Sequence, residues 1–348
     1  MNGLDQLPAS DPTTLLRYRD GVYAVDLLTA AITEFRLFDV LRESPGTLEE
    51  ICARFGWDER PADALLTLCL ANGYLDQDAS GVFAPSATAL DHLCTGSPWD
   101  LTPYYGSLRD RVVVQDYVRV LKTGRPAHWA GLDEASDDWH ASMLTEDFAR
   151  TFTSAMDCRG VFLGKKLADT VGDVLTKAHR LLDIGGGSGV YACALAANAP
   201  HLEATVLEQA PVDAIALEMI TQRGLAGRVR VATGDMFTDA WPEDCDLHLF
   251  SNVMHDWGKA EILALLRRSR ETLAQGGKVL IHEAFLDPDK RGPLPVAEYS
   301  CILAHSTQGR CYAWSEMEAF LAEAGFRSLG YRVTGGDRGV VVAARAPA

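Results

Sequence analysis

Residues 181–200 read LLDIGGGSGVYACALAANAP, with four glycines inside five positions, a short apolar run before them and an alanine-rich one after. Glycine loses more freedom on ordering than any other residue, so such a cluster marks backbone that must turn tightly or approach something closely. An apolar run, a glycine turn and a stretch of helix formers together predict strand, loop and helix. The same alternation continues to the C-terminus. HRLLDIG, EATVLEQ, RVRVATGD, DLHLFSNVM and KVLIHEAF read as strands, interleaved with helices over VYACALAANAP, VDAIALEMITQRG, KAEILALLRRSRETLAQGG and WSEMEAFLAEAGF. RSLGYRVTGGDRGVVVAARA closes the chain as two strands about a GGDRG turn. This pattern predicts an α/β fold, a Rossmann-like, mostly parallel seven-stranded sheet whose last strand is antiparallel. Ligands of such sheets lie beyond the carboxyl ends of the strands where the strand order reverses, and the glycine turn falls there.

Two ligands compete for that turn. A dinucleotide fingerprint, G-x-G-x-x-G, counted from Gly185 requires a third glycine where the chain has Val190, and counting from Gly186 or Gly187 also fails. The spacing is instead Asp183-x-Gly185-x-Gly187-x-Gly189. Two further acids end strands: Glu208 in TVLEQ, placed to accept ribose hydroxyls, and Asp235 in TGDMF, placed to accept an adenine amino group with Met236 and Phe237 flanking the ring. After the fourth strand comes FSNVMHDWGK, where His255 suits proton abstraction from a hydroxyl near neutral pH, Asp256 is a candidate helix cap, and Trp257 either covers the adenine or packs.

The first 172 residues have another character. YAVDLLTAAITEFRLFDVL has helical spacing, and SPGTLEEICARFG predicts a helix with Thr47 as N-cap, Glu50 completing a capping box and Gly56 closing it. RPADALLTLCLANGYL continues as a helix and DQDASGVFAPS as a small β pair, the outline of a winged helix. DNA binding is disfavoured: residues 30–90 hold four Arg and no Lys against ten Asp and Glu, and the whole chain carries a net charge of −16. The expected division is 1–105, a winged-helix-like module; 106–172, connecting helices; and 173–348, the α/β domain that carries the glycine turn. Aromatics of the connecting stretch, Tyr104, Tyr105, Tyr117, Trp129, Trp139, Phe148 and Phe152, are expected in the core or along a substrate wall. The N-terminal twenty residues lack an apolar leader core, no run of ~18 apolar residues occurs, and the eight cysteines form no CxxC pair; a cytoplasmic chain with thiols packed as small hydrophobes is expected.

LLDIGGGSG, the acid of VLEQ, GDMF, MHDW, GGKVLIHEAF and AEAGF together resemble the plant-type small-molecule O-methyltransferases, a class I S-adenosylmethionine-dependent family that includes caffeate and acetylserotonin methyltransferases and many bacterial natural-product enzymes. The resemblance covers nearly the whole chain. It implies S-adenosylmethionine as donor, held by Asp183, Gly185, Gly187, Gly189, Glu208, Asp235, Met236, Phe237, Ser251 and Trp257; His255 as general base oriented by Glu283; no metal; and a homodimer formed through the N-terminal module. It places Met156, Asp157 and Arg159 of FTSAMDCRG on a substrate-facing helix, with Arg159 suited to an acceptor carboxylate. His305 either faces the acceptor or is a hydrogen-bonded helix residue. Arg310 matches a basic position, whereas Cys311 stands where plant members carry a second acid. The acceptor implied is a small phenolic or hydroxy-aromatic acid. Three alternatives remain at this stage: C-methylation of a small acid or ketone, with or without a metal on His255 and His305; other work on a bound donor, such as decarboxylation or hydroxylation; and a winged-helix regulator that senses S-adenosylmethionine.

Overall fold

The computed structural model describes residues 3–127 and 142–346, so Trp129 and Trp139 lie outside the described residues. Two compact units interleave along the chain: residues 17–127 and 286–313 form a helical unit, and residues 3–16, 142–285 and 314–346 form an α/β unit.

In the helical unit, Thr47 and Glu50 make the expected capping box on the helix Leu48–Phe55: the Glu50 amide donates to Thr47 Oγ1 at 3.3 Å and the Thr47 amide to Glu50 Oε2 at 2.8 Å. Gly56 then ends the helix in the left-handed region. The next helix, Glu59–Ala71, leads into β1 (Leu75–Gln77) and β2 (Phe83–Pro85), an antiparallel pair. Leu27, Phe38, Leu41, Ile51 and Leu65 fill the core, and Tyr117 joins them, its hydroxyl donating to Cys301 O at 2.8 Å. Tyr104, one of the aromatics expected in the core or along a substrate wall, is not in the core: its helix, Thr102–Gly106, is five residues long and buries none of them.

The α/β unit holds the predicted sheet, with strands β3 (Arg180–Ile184), β4 (Glu203–Glu208), β5 (Val229–Thr233), β6 (Leu247–Ser251), β7 (Lys278–Glu283), β8 (Phe326–Gly335) and β9 (Arg338–Arg345) in the order β5-β4-β3-β6-β7-β9-β8. β9 runs opposite to the other six strands and pairs antiparallel with both β7 and β8. After β3 the chain builds outward to β5, then returns to the other side of β3 as β6, which opens a crevice at the carboxyl ends of β3, β4 and β6. Helix Val190–Asn198, which leaves the glycine turn, is buried through Ala196 and is covered by the long helix Glu146–Thr170. Their close approach requires Gly160: a Cβ there would stand 2.3 Å from Val190 Cγ1. Phe148 and Phe152 stack on that helix at 6.0 Å beside Val212 and Ile215.

Candidate active site

The glycine turn adopts the geometry its composition predicts. Gly185, Gly187 and Gly189 have φ of 65°, 56° and 72°, the left-handed region that side chains other than glycine enter at a cost. The Gly187 amide donates to Glu208 Oε2 at 3.0 Å, and Glu208 Oε1 accepts from the Gln209 amide at 3.0 Å, so the second strand-end acid braces the turn that follows the first strand. Burial holds the Glu208 carboxyl above its ordinary range, opposed by these two amide bonds. Asp183 lies at the root of the turn, fully buried. Its Oδ2 accepts from the Ala192 amide at 3.3 Å, while Oδ1 has no hydrogen-bond partner among the described residues. Burial, reinforced by the charge of Glu208 and opposed by the Ala192 amide, pushes Asp183 up to about 7.

Across the crevice, Asp235 closes its own turn: Oδ1 accepts from the Phe237 amide at 2.6 Å, and the Asp235 amide donates to Asp239 Oδ2 at 2.9 Å. Phe237 and Trp257 meet edge to face with ring centroids 4.7 Å apart. Met236 Sδ lies 3.6 Å from where a Cβ on Gly185 would stand. Asp235, Met236, Phe237 and Trp257 therefore gather beside the glycine turn, although β5 and β6 carry them in separate segments.

His255 sits in a short 3₁₀ turn, Met254–Asp256, just past β6, and is buried. Its Nδ1 is 2.5 Å from Glu283 Oε2 at the end of β7. The other oxygen, Oε1, accepts from the amides of Val253 and Met254, both at 2.8 Å. One buried carboxylate thus holds both the ring and the backbone that carries it. A carboxylate only accepts, so in the neutral ring Nδ1 bears the proton and Nε2 keeps its lone pair. Burial depresses the His255 pKa, but the charges of Glu283 and Asp256 outweigh it and the net shift is upward, with Arg159 opposing. Asp256 does not cap the next helix, as the sequence suggested. Gly258 occupies that N-cap, and Asp256 Oδ1 stands 3.7 Å from His255 Nε2.

Behind this dyad is a polar cluster of which sequence reasoning named only Ser251. Ser251 Oγ bonds His282 Nδ1 at 2.8 Å, His282 Nε2 reaches Thr334 Oγ1 at 3.2 Å, and Asn252 Nδ2 donates to the Tyr191 hydroxyl at 3.0 Å. His282 is pushed down to about 3 by burial, with Arg338 and Arg159 adding to it, so it is neutral. The available signals were a histidine inside an otherwise apolar strand and an asparagine, which tolerates left-handed backbone, just after one.

The remaining expected positions divide. Met156, Asp157 and Arg159 are half-buried on helix Glu146–Thr170; Asp157 is committed to an ion pair with Arg223 at 2.6 Å, and the charge of Arg159 bears on His255, Tyr191 and His282. His305 and Arg310 belong to the helical unit. His305 is buried between the rings of Tyr23 and Tyr117, at 4.8 and 5.2 Å, with Asp116 Oδ2 3.5 Å from Nε2. Arg310 pairs with Asp63 at 2.9 Å and lies over Tyr312. Cys311 is buried, and its amide donates to Ser300 Oγ at 3.1 Å. Among the described residues, no group of three or more His, Cys, Asp or Glu side chains is arranged to hold a metal ion, and no helix is long and apolar enough to cross a membrane.

Comparison with known proteins agrees with this architecture. Residues 117–327 match the O-methyltransferase domain family. A 3-hydroxy-5-methyl-1-naphthoate 3-O-methyltransferase of Streptomyces sahachiroi is 31% identical, covering 90% of this chain and 89% of its own. An L-tyrosine C(3)-methyltransferase of Streptomyces lavendulae is 29% identical over 88% of this chain and 84% of its own. The crystal structure of an O-methyltransferase family 2 protein from Planctomyces limnophilus, in complex with apigenin, superposes with a TM-score of 0.87 at 28% identity, covering 99% of this chain and 98% of that one. With its sheet order, glycine turn and sequence match all in accord, the chain belongs to the O-methyltransferase domain family and is an S-adenosylmethionine-dependent methyltransferase.

Proposed function

We propose that this methyltransferase acts on a hydroxyl of a small aromatic natural-product intermediate, with His255 as general base. The observation that carries the proposal is the buried His255–Glu283 dyad, which leaves Nε2 as a lone pair held in a fixed direction. The naphthoate methyltransferase and the apigenin-bound structure support an aromatic acceptor.

The crevice residues suit the donor. S-Adenosylmethionine brings a methyl group on a positively charged sulfur, an ammonium and a ribose diol. Asp183 Oδ1 is a buried acceptor with no hydrogen-bond partner among the described residues, as a site for a cationic ligand requires, and a Cβ on Gly187 would meet nothing within 4 Å, so backbone there stands open. We assign Asp183, Gly185, Gly187 and Gly189 to the amino-acid portion, Glu208 to the ribose, and Asp235, Met236, Phe237 and Trp257 to the adenine, with Ser251 at the floor. Met156 and Arg159, three residues apart on one helix face, are assigned to the acceptor side, where Arg159 suits a carboxylate. His255 accepts the hydroxyl proton at Nε2, Glu283 stabilises the imidazolium through Nδ1, and the main gain comes from holding the reactants in line. We assign homodimerisation to the helical unit, as the family resemblance implies, and sedimentation velocity at micromolar protein reads it directly.

His255→Ala is expected to abolish turnover while S-adenosylhomocysteine affinity, measured by calorimetry, stays near wild type; undiminished turnover would remove His255 as base. A second reading is C-methylation ortho to a phenol, favoured by the tyrosine C-methyltransferase relative. The same base would form the phenolate. Mass spectrometry and NMR of products from a panel of phenols and hydroxy-aromatic acids separate the two by the atom that carries the methyl.

A further inference from the structure

We propose that Asn252 and Tyr191 are positioning residues, which together hold the turn carrying His255 in register with the helix that leaves the glycine turn. The inference rests on His255 being the base. Asn252 occupies the hinge between Ser251, the last residue of β6, and the Val253 and Met254 amides that Glu283 captures. Its φ is 56°, a conformation that asparagine reaches more readily than most residues but that still costs energy. Its amide offsets that cost on three sides. The side-chain nitrogen donates to Tyr191 Oη at 3.0 Å and to Ser251 Oγ at 3.2 Å, and Arg338 Nε lies 3.4 Å from the side-chain oxygen. The backbone amide donates to His282 O at 2.9 Å, on the strand that ends in Glu283.

Tyr191 is the second residue of helix Val190–Asn198, so its position is set by Gly189, and its ring meets that of His282 edge to face at 5.5 Å. The bridge Tyr191–Asn252 is thus a direct link from the donor-side turn to the base-bearing turn, made by two side chains that reach neither reactant in the scheme above. Methyl transfer requires base and donor to be aligned to a fraction of an ångström, and this bridge ties one to the other. His255 faces Glu283 and Asp256, which favour its charged form, and Arg159, which opposes it. A loosened turn lets the ring drift from Glu283, so burial gains ground and the midpoint of His255 falls.

The test uses Asn252→Gly, which keeps the left-handed backbone but removes the amide, Tyr191→Phe, and the double variant. Each is checked for S-adenosylhomocysteine binding and for the His255 imidazole titration by NMR. Each single variant is expected to lower kcat about tenfold, the scale of a small misalignment, with the His255 midpoint moving down and KM for donor nearly unchanged. The double variant should be no slower than the slower single one, because one bridge is lost in both. Wild-type kcat and midpoint in both singles, or losses that simply multiply, would overturn the proposal. The NMR midpoint reads the bridge whether or not His255 is the base, and His255→Ala turnover tests the base alone, so the two failures are distinguishable.

Discussion

Replacing Glu283 with Gln tests the proposed role of the His255–Glu283 dyad most severely, because one carboxylate has three partners. Oε2 takes the His255 Nδ1 proton at 2.5 Å and Oε1 takes two backbone amides at 2.8 Å. Glutamine is nearly isosteric but offers one acceptor oxygen and one donor nitrogen. If its oxygen stays with the amides, the NH₂ faces Nδ1, and the ring must move its proton to Nε2, the atom that should accept. If its oxygen faces Nδ1, two buried amides confront a donor. Either way a charge-assisted contact worth about 1.5–3 kcal/mol is lost. The same fold shows what burial does to a histidine without a carboxylate: His248 and His282 are both pushed down to about 3. His255, equally buried, should move in that direction once Glu283 is neutral, becoming a weak base in the wrong tautomer. The expected loss in kcat is roughly a hundred- to ten-thousandfold, the range of general base catalysis. In the wild type the raised His255 pKa moves the acid limb of the kcat/KM profile, which reports the free enzyme, above that of an ordinary imidazole, with activity falling as pH drops through it. In Glu283→Gln that limb should move to lower pH. A variant with wild-type kcat and an unmoved acid limb, folded and binding S-adenosylhomocysteine, would refute the assignment.

Asp183, pushed up to about 7, predicts that the ligand-free protein loses this group's contribution to stability as pH rises from the ordinary carboxylate range to about 7, because the unfolded chain ionises there while the buried carboxyl stays protonated, with no further loss above. A bound cation lowers that pKa, so donor binding near pH 7 should release a proton; calorimetry in buffers of different ionisation enthalpy measures this, and Asp183→Asn should abolish it. Gly160→Ala should destabilise despite the better helix propensity of alanine, because its Cβ would stand 2.3 Å from Val190 Cγ1, an overpacking cost of about 1–3 kcal/mol. Thermal unfolding of Gly160→Ala, Val190→Ala and the double variant checks the mechanism: the clash is relieved only if the two changes are non-additive, with the double variant better than their sum.

What the amino-acid order determined by itself was whatever depends on neighbours in sequence. The alternation of strands and helices from residue 178, the capping box of Thr47 and Glu50, the left-handed glycines and the acids at strand ends are all local patterns, and the sheet follows once parallel strands must be joined by helices. The glycine spacing excluded a dinucleotide turn, and MHDW directed attention to His255. Tertiary structure alone decided the contacts that span long separations. Glu283 lies 28 residues from His255, and Asn252 lies 61 from Tyr191, so no periodicity links them. Asp256 reads as a helix cap from its neighbours, yet it stands beside the imidazole; Tyr104 reads as a core or substrate-wall residue, yet its short helix keeps it out of the core. Propensity and patterning act over a turn of helix or a few strand residues, whereas burial and the pairing of buried charges are settled only when segments distant in the chain meet, and it is there that His255 acquires its proton position and its raised pKa.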